Sequence, residues 1–278
     1  PELSQFFGVG MGPTDANGHL WMDDFLKGVG AYEKQNHVQL LDGVSFHAYP
    51  FNNAGQSPSL LMSSTEQWNY LLGPLHTLIQ RDLGRDVPIG ITEINTNPGD
   101  NVATPGQSAL WWGDTLGELM ENQVQFVNFF SAEGVNHPYP LFTDNGRQET
   151  AMGRVMEMFT HLQKNLVPLS IQRTPISVYA TQDDAHQTVS LLFINKGYDA
   201  QIAELQSLNA AFGVDPWPDQ QIHIAGNSMV LVTLHRGQPD AADAYSYVMP
   251  AANDTSSGSI LYTVCGHSKD PLNEAIPC

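Results

Sequence analysis

Basic residues are scarce in this chain. Lysine and arginine number 11 against 29 aspartates and glutamates, so the formal charge at neutral pH is −18. Charged residues make up only 14% of the sequence, against about a quarter in an average domain. The shortfall is therefore mostly one of cations. A surface of this sign repels phosphate backbones and anionic lipids, which argues against nucleic-acid and membrane-surface partners. No apolar run approaches the roughly 18 residues that a membrane span needs. Cysteine is nearly missing as well: Cys265 and Cys278 are the only two, and no Cys/His spacing suits a zinc site. Three catalytic signatures are also absent. No Gly-rich phosphate loop follows a strand-like run, no Gly-x-Ser-x-Gly elbow is found, and no His-Glu-x-x-His occurs.

Apolar residues are present in ordinary number. They form 41% of 278 residues, and the 24 glycines and 18 prolines are scattered without a period. That is enough for a packed core and excludes disordered and collagen-like classes. A weakly charged, anionic surface suits a polymer of neutral hydroxyls. Sparse charge with many Asn, Gln, Ser and Thr residues points to a secreted or extracellular protein. A Cys265–Cys278 disulfide closing the C-terminal segment would fit that oxidising compartment.

Strand-like and helix-like patterns alternate through the first part. Residues 6–10 read as a buried strand. Residues 21–34 place Trp21, Phe25, Val29 and Tyr32 on one helical face. Residues 42–49 alternate, with Val44, Phe46 and Ala48 on one side and Ser45, His47 and Tyr49 on the other. Helical patterns over 65–83, 105–120 and 148–162 are interleaved with strand patterns over 87–95 and 123–131. Such alternation implies parallel strands with helical crossovers. Two architectures remain open at this point, a doubly wound open sheet and a closed eight-fold barrel. Beyond about residue 170 the runs 177–180, 188–195 and 228–234 are short and β-rich, which implies a small antiparallel β-sandwich. Residues 203–211 have the pattern of one or two helical turns. The expected division is 1–168, 169–237 and an extended, surface-wrapping tail over 238–278.

In a barrel, chemistry sits where strands end and loops begin. Glu93 lies inside Ile89-Gly90-Ile91-Thr92-Glu93-Ile94-Asn95. An ionised carboxylate between isoleucines costs several kcal/mol unless it is hydrogen-bonded or paired, so Glu93 is either a solvated strand end or a site. His47 and Tyr49 share one side of their strand and are suited to bonding hydroxyls or a carboxylate. Glu133, His137 and Tyr139 follow the fourth strand pattern in a loop with two prolines. Trp68, Trp111 and Trp112 fall on helices and read as core packing. With serine, metal and phosphate-loop signatures missing, carboxylate chemistry is favoured.

The stretch Leu41-Asp42-Gly43-Val44-Ser45-Phe46-His47-Ala48-Tyr49-Pro50, followed by Pro88-Ile89-Gly90-Ile91-Thr92-Glu93-Ile94-Asn95, resembles strands six and seven of clan A glycoside hydrolases. Leu141-Phe142-Thr143-Asp144-Asn145-Gly146-Arg147 is similar to the clan's exit from strand eight. Val178-Tyr179-Ala180 and Ser190-Leu191-Leu192-Phe193-Ile194-Asn195 resemble the β-sandwich that follows the barrel in families 39, 51 and 79. The resemblance implies the second half, strands five to eight, of a TIM-type (β/α)8 barrel, followed by a β-sandwich. It also implies a retaining hydrolase acting on a β-linked or related glycan, with Glu93 as nucleophile and His47, Tyr49 and Asn95 orienting Glu93 and substrate. Glu133 and His137 are further candidates for substrate contact. No cofactor or metal is implied. The clan's acid/base glutamate belongs to strand four, and strands one to four have no counterpart here. The expected partner is therefore an N-terminal half-barrel polypeptide or a preceding segment that carries the acid/base. The competing reading is a non-catalytic carbohydrate-binding or structural cell-surface protein on a glycosidase scaffold. In a weaker third reading, Glu133 is the acid of a self-contained domain.

Overall fold

The computed structural model describes residues 3–6, 21–50, 57–96, 103–133, 139–143, 146–169, 175–205, 221–238, 242–251 and 257–265. The elements of the first part are β1 (Leu3–Phe6), α1 (Trp21–Asn36), β2 (Val44–Ala48), α2 (Pro58–Ser63), α3 (Gln67–Leu83), β3 (Ile89–Ile94), α4 (Pro105–Glu121) and β4 (Phe126–Phe129). The strand lies at Leu3–Phe6 rather than over the expected residues 6–10, of which 7–10 fall outside the described residues.

These four strands pair in parallel and in chain order, β1-β2-β3-β4. Each strand is added on the same side of the last, without the reversal of order that a doubly wound sheet requires.

Local chemistry sets the ends of the helices. Ser57 accepts a hydrogen bond from the Leu60 amide at 3.3 Å, with Pro58 at the first helical position of α2. Helix α3 stops at Gly84, which adopts φ 69° and returns its N–H to the Gln80 carbonyl, a left-handed cap that only glycine enters without strain. Helix α1 runs against α3 at Gly30, where a Cβ would lie 2.1 Å from the Asp82 carbonyl oxygen. The chain leaving α1 is held by Glu33, whose Oε1 accepts from the amides of Leu40 and Leu41 at 2.7 and 3.1 Å and from Arg85 at 2.9 Å. That clamp delivers the chain into β2.

Phe46, Ile91, Leu72, Leu75, Ile79 and Trp68 are buried in this part of the chain, each contributing roughly 1.5–3 kcal/mol by leaving water. Trp111 and Trp112 on α4 are buried too. Trp68, Trp111 and Trp112 thus pack in the interior, whereas Trp21 and Tyr32 of the face expected on α1 are exposed and Met22 and Leu26 are buried instead.

Two compact units emerge, one of residues 1–103 and 115–145, the other of residues 104–114 and 146–278. The second contains α5 (Ala151–Phe159), β5 (Asn165–Val167), β6 (Ile176–Gln182), β7 (Thr188–Asn195), β8 (Gln201–Glu204), β9 (Gln221–Ile224), β10 (Ser228–His235), β11 (Ala242–Val248) and β12 (Leu261–Cys265). An antiparallel sheet runs in the order β12-β11-β10-β7-β6-β5, and β8 pairs with β9 in a separate hairpin. Val189, Leu191, Phe193, Val230, Val232 and Leu234 from the larger sheet share one core with Ile222 and Ile224 of the smaller.

Three expectations are corrected here. Residues 146–168, read as the end of the barrel segment, belong by their contacts to the second unit. Residues 238–278 are not simply a wrapping tail, because β11 and β12 extend the sheet with Ala242, Ala244 and Cys265 in its core. Of the helical turns expected over 203–211, residues 203 and 204 instead end β8, whose cross-strand partner is β9, and residues 206–211 lie outside the described residues.

Candidate active site

Glu93 is the penultimate residue of β3, and its register partner on β2 is His47. Directly opposed residues on neighbouring strands point to the same face, so the pairing alone brings the imidazole to the carboxylate. His47 Nδ1 lies 3.1 Å from Glu93 Oε2. Tyr49, one residue past the end of β2, donates its hydroxyl to Glu93 Oε1. The two-residue spacing of His47 and Tyr49 thus places one polar group beside each carboxylate oxygen. The carboxylate is 27% exposed, open to a ligand yet shielded enough that these bonds are only partly screened by water.

Tyr49 itself is buried. Burial, then the hydrogen bond to Glu93 and its negative charge, push the phenol far above its ordinary value, so Tyr49 remains a donor throughout the neutral range. The Tyr139 phenol is also raised, by burial.

Asn95 plays a different part from the one expected. It is fully buried, and its Nδ2 donates to the carbonyls of Phe130 and Tyr139 at 2.6 and 3.1 Å. Its Oδ1 accepts from the Thr96 amide at 2.7 Å. The side chain is thereby committed to backbone and ties the end of β3 to the segment after β4, where the Phe130–Ser131 peptide is cis. It is a strut under the site, a role that sequence reading missed, since nothing in Glu-Ile-Asn distinguishes a ligand contact from a brace.

Glu133 is exposed in the turn after β4, where its carbonyl accepts from the Ser131 hydroxyl at 2.8 Å. His137 and Cys278 lie outside the described residues, so the expected Cys265–Cys278 pairing does too. Cys265 is buried at the end of β12. Among the described residues no group of three His, Cys, Asp or Glu side chains is placed to hold a metal ion. No helix among them is long and apolar enough to cross a membrane.

No protein-family model and no curated protein matches the chain. Solved structures do. A family 44 endoglucanase from Clostridium acetobutylium ATCC 824 shares 13% identity at a TM-score of 0.55, over 79% of this chain and 52% of its own. The likeness is to glycoside hydrolases built on TIM barrels. A family 44 xyloglucanase from Paenibacillus polymyxa shares 15% identity at a TM-score of 0.55, over 88% of this chain and 54% of its own. A family 51 α-L-arabinofuranosidase from Thermotoga petrophila RKU-1 shares 13% at 0.57, over 94% and 62%. At such identities the similarity is one of fold. The chain spans between 52% and 62% of the length of these three structures.

Proposed function

We propose that this chain is the nucleophile-bearing part of a retaining glycoside hydrolase, with Glu93 as the nucleophile and the acid/base carboxyl supplied from outside residues 1–278. The observation that carries the reading is the placing of Tyr49 and His47 on the two oxygens of Glu93. A strand-end carboxylate with Tyr49 on one oxygen and His47 near the other is held in one orientation. In this reading a Glu93 oxygen attacks the anomeric carbon while the bond to the leaving oxygen breaks, and the acid delivers a proton to that oxygen. Water, deprotonated by the same group, then displaces Glu93 and restores the starting configuration. The two carboxyls of a retaining enzyme stand about 5–5.5 Å apart, so the second belongs on a neighbouring strand end.

The edge of the parallel sheet supports a missing neighbour. Parallel strands are ordinarily buried on both faces. Phe126 on β4 is nevertheless 46% exposed and Phe130, one residue past it, 40%. Strands β1 to β4 are read as strands five to eight of a barrel, with β4 pairing to strand one of the other half. The six-stranded sheet and its β8–β9 hairpin are read as the sandwich that follows. The substrate is a neutral glycan, and the xyloglucanase and α-L-arabinofuranosidase neighbours define the first sugars to try.

The test uses the intact protein, together with whatever polypeptide copurifies with it. Hydrolysis of aryl β-xylosides, β-glucosides and α-L-arabinofuranosides is measured before and after Glu93→Gln. The reading expects a loss of about 1000-fold or more with the unfolding midpoint retained. Undiminished hydrolysis by Glu93→Gln, or no hydrolysis of any glycoside by the parent, overturns it.

A further inference from the structure

One corner of the six-stranded sheet carries a set of side chains that the proposed reaction does not use. Tyr245 of β11 is directly opposite Tyr262 of the edge strand β12, and Asp243 lies two residues before Tyr245 on the same face. The tyrosine rings are 5.1 Å apart and tilted by 48°. His161, just beyond α5, stacks on Tyr245 at 3.9 Å and 14°. The Tyr262 hydroxyl donates to Asp243 Oδ1 at 2.6 Å, and His235 Nε2 lies 3.0 Å from Asp243 Oδ2. Tyr262 is nonetheless 56% exposed, and the side chains of Asp243 and His235 are both partly open to solvent.

This combination restricts what would bind there. The hydroxyl of Tyr262 is fixed by Asp243, so the exposed ring is held in one plane and little freedom remains to be lost on binding. Its π-face is weakly negative and attracts polarised C–H groups. The carboxylate and imidazole beside it are partly open, so water solvates them in the absence of a ligand. An apolar partner lying over them would strip that water without replacing it, at a cost of several kcal/mol for the charged group. An anion is repelled by Asp243 and by a chain of net charge −18. A sugar ring meets both demands at once, with a C–H face for the aromatic ring and hydroxyls for the carboxylate and imidazole.

We propose that Tyr262, Tyr245, Asp243 and His235 form a binding platform for a neutral polysaccharide chain, carried by the β-sheet unit and separate in sequence and role from Glu93. The choice of carbohydrate rests on the glycosidase reading, but the test does not require turnover.

In the intact protein carrying Glu93→Gln, so that the probe is not consumed, mobility is measured in native gels containing xyloglucan, xylan or arabinan. The platform predicts retardation by at least one of these polymers. Tyr262→Ala and the near-isosteric Asp243→Asn each weaken it about 10-fold, while hydrolysis of small aryl glycosides in the Glu93 background is unchanged. Asp243→Asn carries the test if Tyr262→Ala disturbs the edge strand. Retardation that is equal in parent and both variants, or absent on every polymer, overturns the proposal. Loss of polymer binding that is always accompanied by an equal loss of aryl-glycoside hydrolysis, in Asp243→Asn as in Tyr262→Ala, also overturns it, because no binding role separable from folding is then left to these residues. A parent that hydrolyses nothing but shows Tyr262-dependent retardation sinks the glycosidase reading and leaves the platform standing.

Discussion

The hydroxyl of Tyr49 is bonded to Oε1 of Glu93, joining the residue just past β2 to the penultimate residue of β3. Hydrogen bonds to a charged group contribute about 1.5–3 kcal/mol each. If that bond holds Glu93 in its attacking orientation, Tyr49→Phe lowers kcat/KM by about 10- to 100-fold. Packing is preserved because the ring remains. Steady-state kinetics on an aryl glycoside, with the urea midpoint as a control for folding, checks this.

The same bond gives the protein a pH signature. The Tyr49 phenol is raised by burial and then by the bond to Glu93 and its charge. The native state therefore holds this proton more tightly than the unfolded chain does. The stability it contributes is complete below the unfolded value of about 10 and is lost as pH rises above it, by up to about 1.4 kcal/mol per pH unit. Urea unfolding at pH 8 and pH 11 should show the gap between wild type and Tyr49→Phe narrowing at the higher pH. A gap that widens contradicts the assignment.

Within the second unit, Asp114 is fully buried and is bonded at 2.8 Å both by Lys196 Nζ and by the Tyr179 hydroxyl. Lys196→Met leaves a buried carboxylate without its cation and should cost about 3–5 kcal/mol. Asp114→Asn in the same background should recover part of that loss, because the uncompensated charge is gone. Denaturant midpoints of the two variants decide the point.

Gly90 faces Phe126 across the β3–β4 ladder, and a Cβ there would lie 2.1 Å from the phenyl ring. Gly90→Ala should therefore destabilise the protein by about 1–3 kcal/mol. Gly90→Ala/Phe126→Ala should be milder than the sum of the two single changes, as expected for residues in contact. A strictly additive double mutant would show that the ring does not depend on the glycine.

Much of the candidate site is legible in the sequence because strands alternate. Val44, Phe46 and Ala48 are buried while His47 turns to the other side, as the pattern of apolar residues requires. Glu93 is conspicuous because charge is rare among isoleucines. Asn95 was not legible, since its partners are the carbonyls of Phe130 and Tyr139, and a contact 35 residues away in sequence leaves no local trace. Strands β11 and β12 escaped for another reason. The inward positions of β11 include Ala242 and Ala244, and alanine is a weak strand former that signals no core. Pairing with β10 makes that segment a strand, and such pairing is invisible to a window of local sequence. The short strands β8 and β9 depend in the same way on each other.

The central claim, that Glu93 is the nucleophile, is tested most directly by trapping the covalent intermediate. The intact enzyme is incubated with 2-deoxy-2-fluoro glycosides of the sugar that it cleaves, digested, and analysed by peptide mass spectrometry. The account predicts inactivation together with one glycosyl adduct, located on Glu93 and absent from Glu93→Gln. An adduct on any other carboxylate, Glu133 included, would contradict it, as would turnover with inversion of the anomeric configuration.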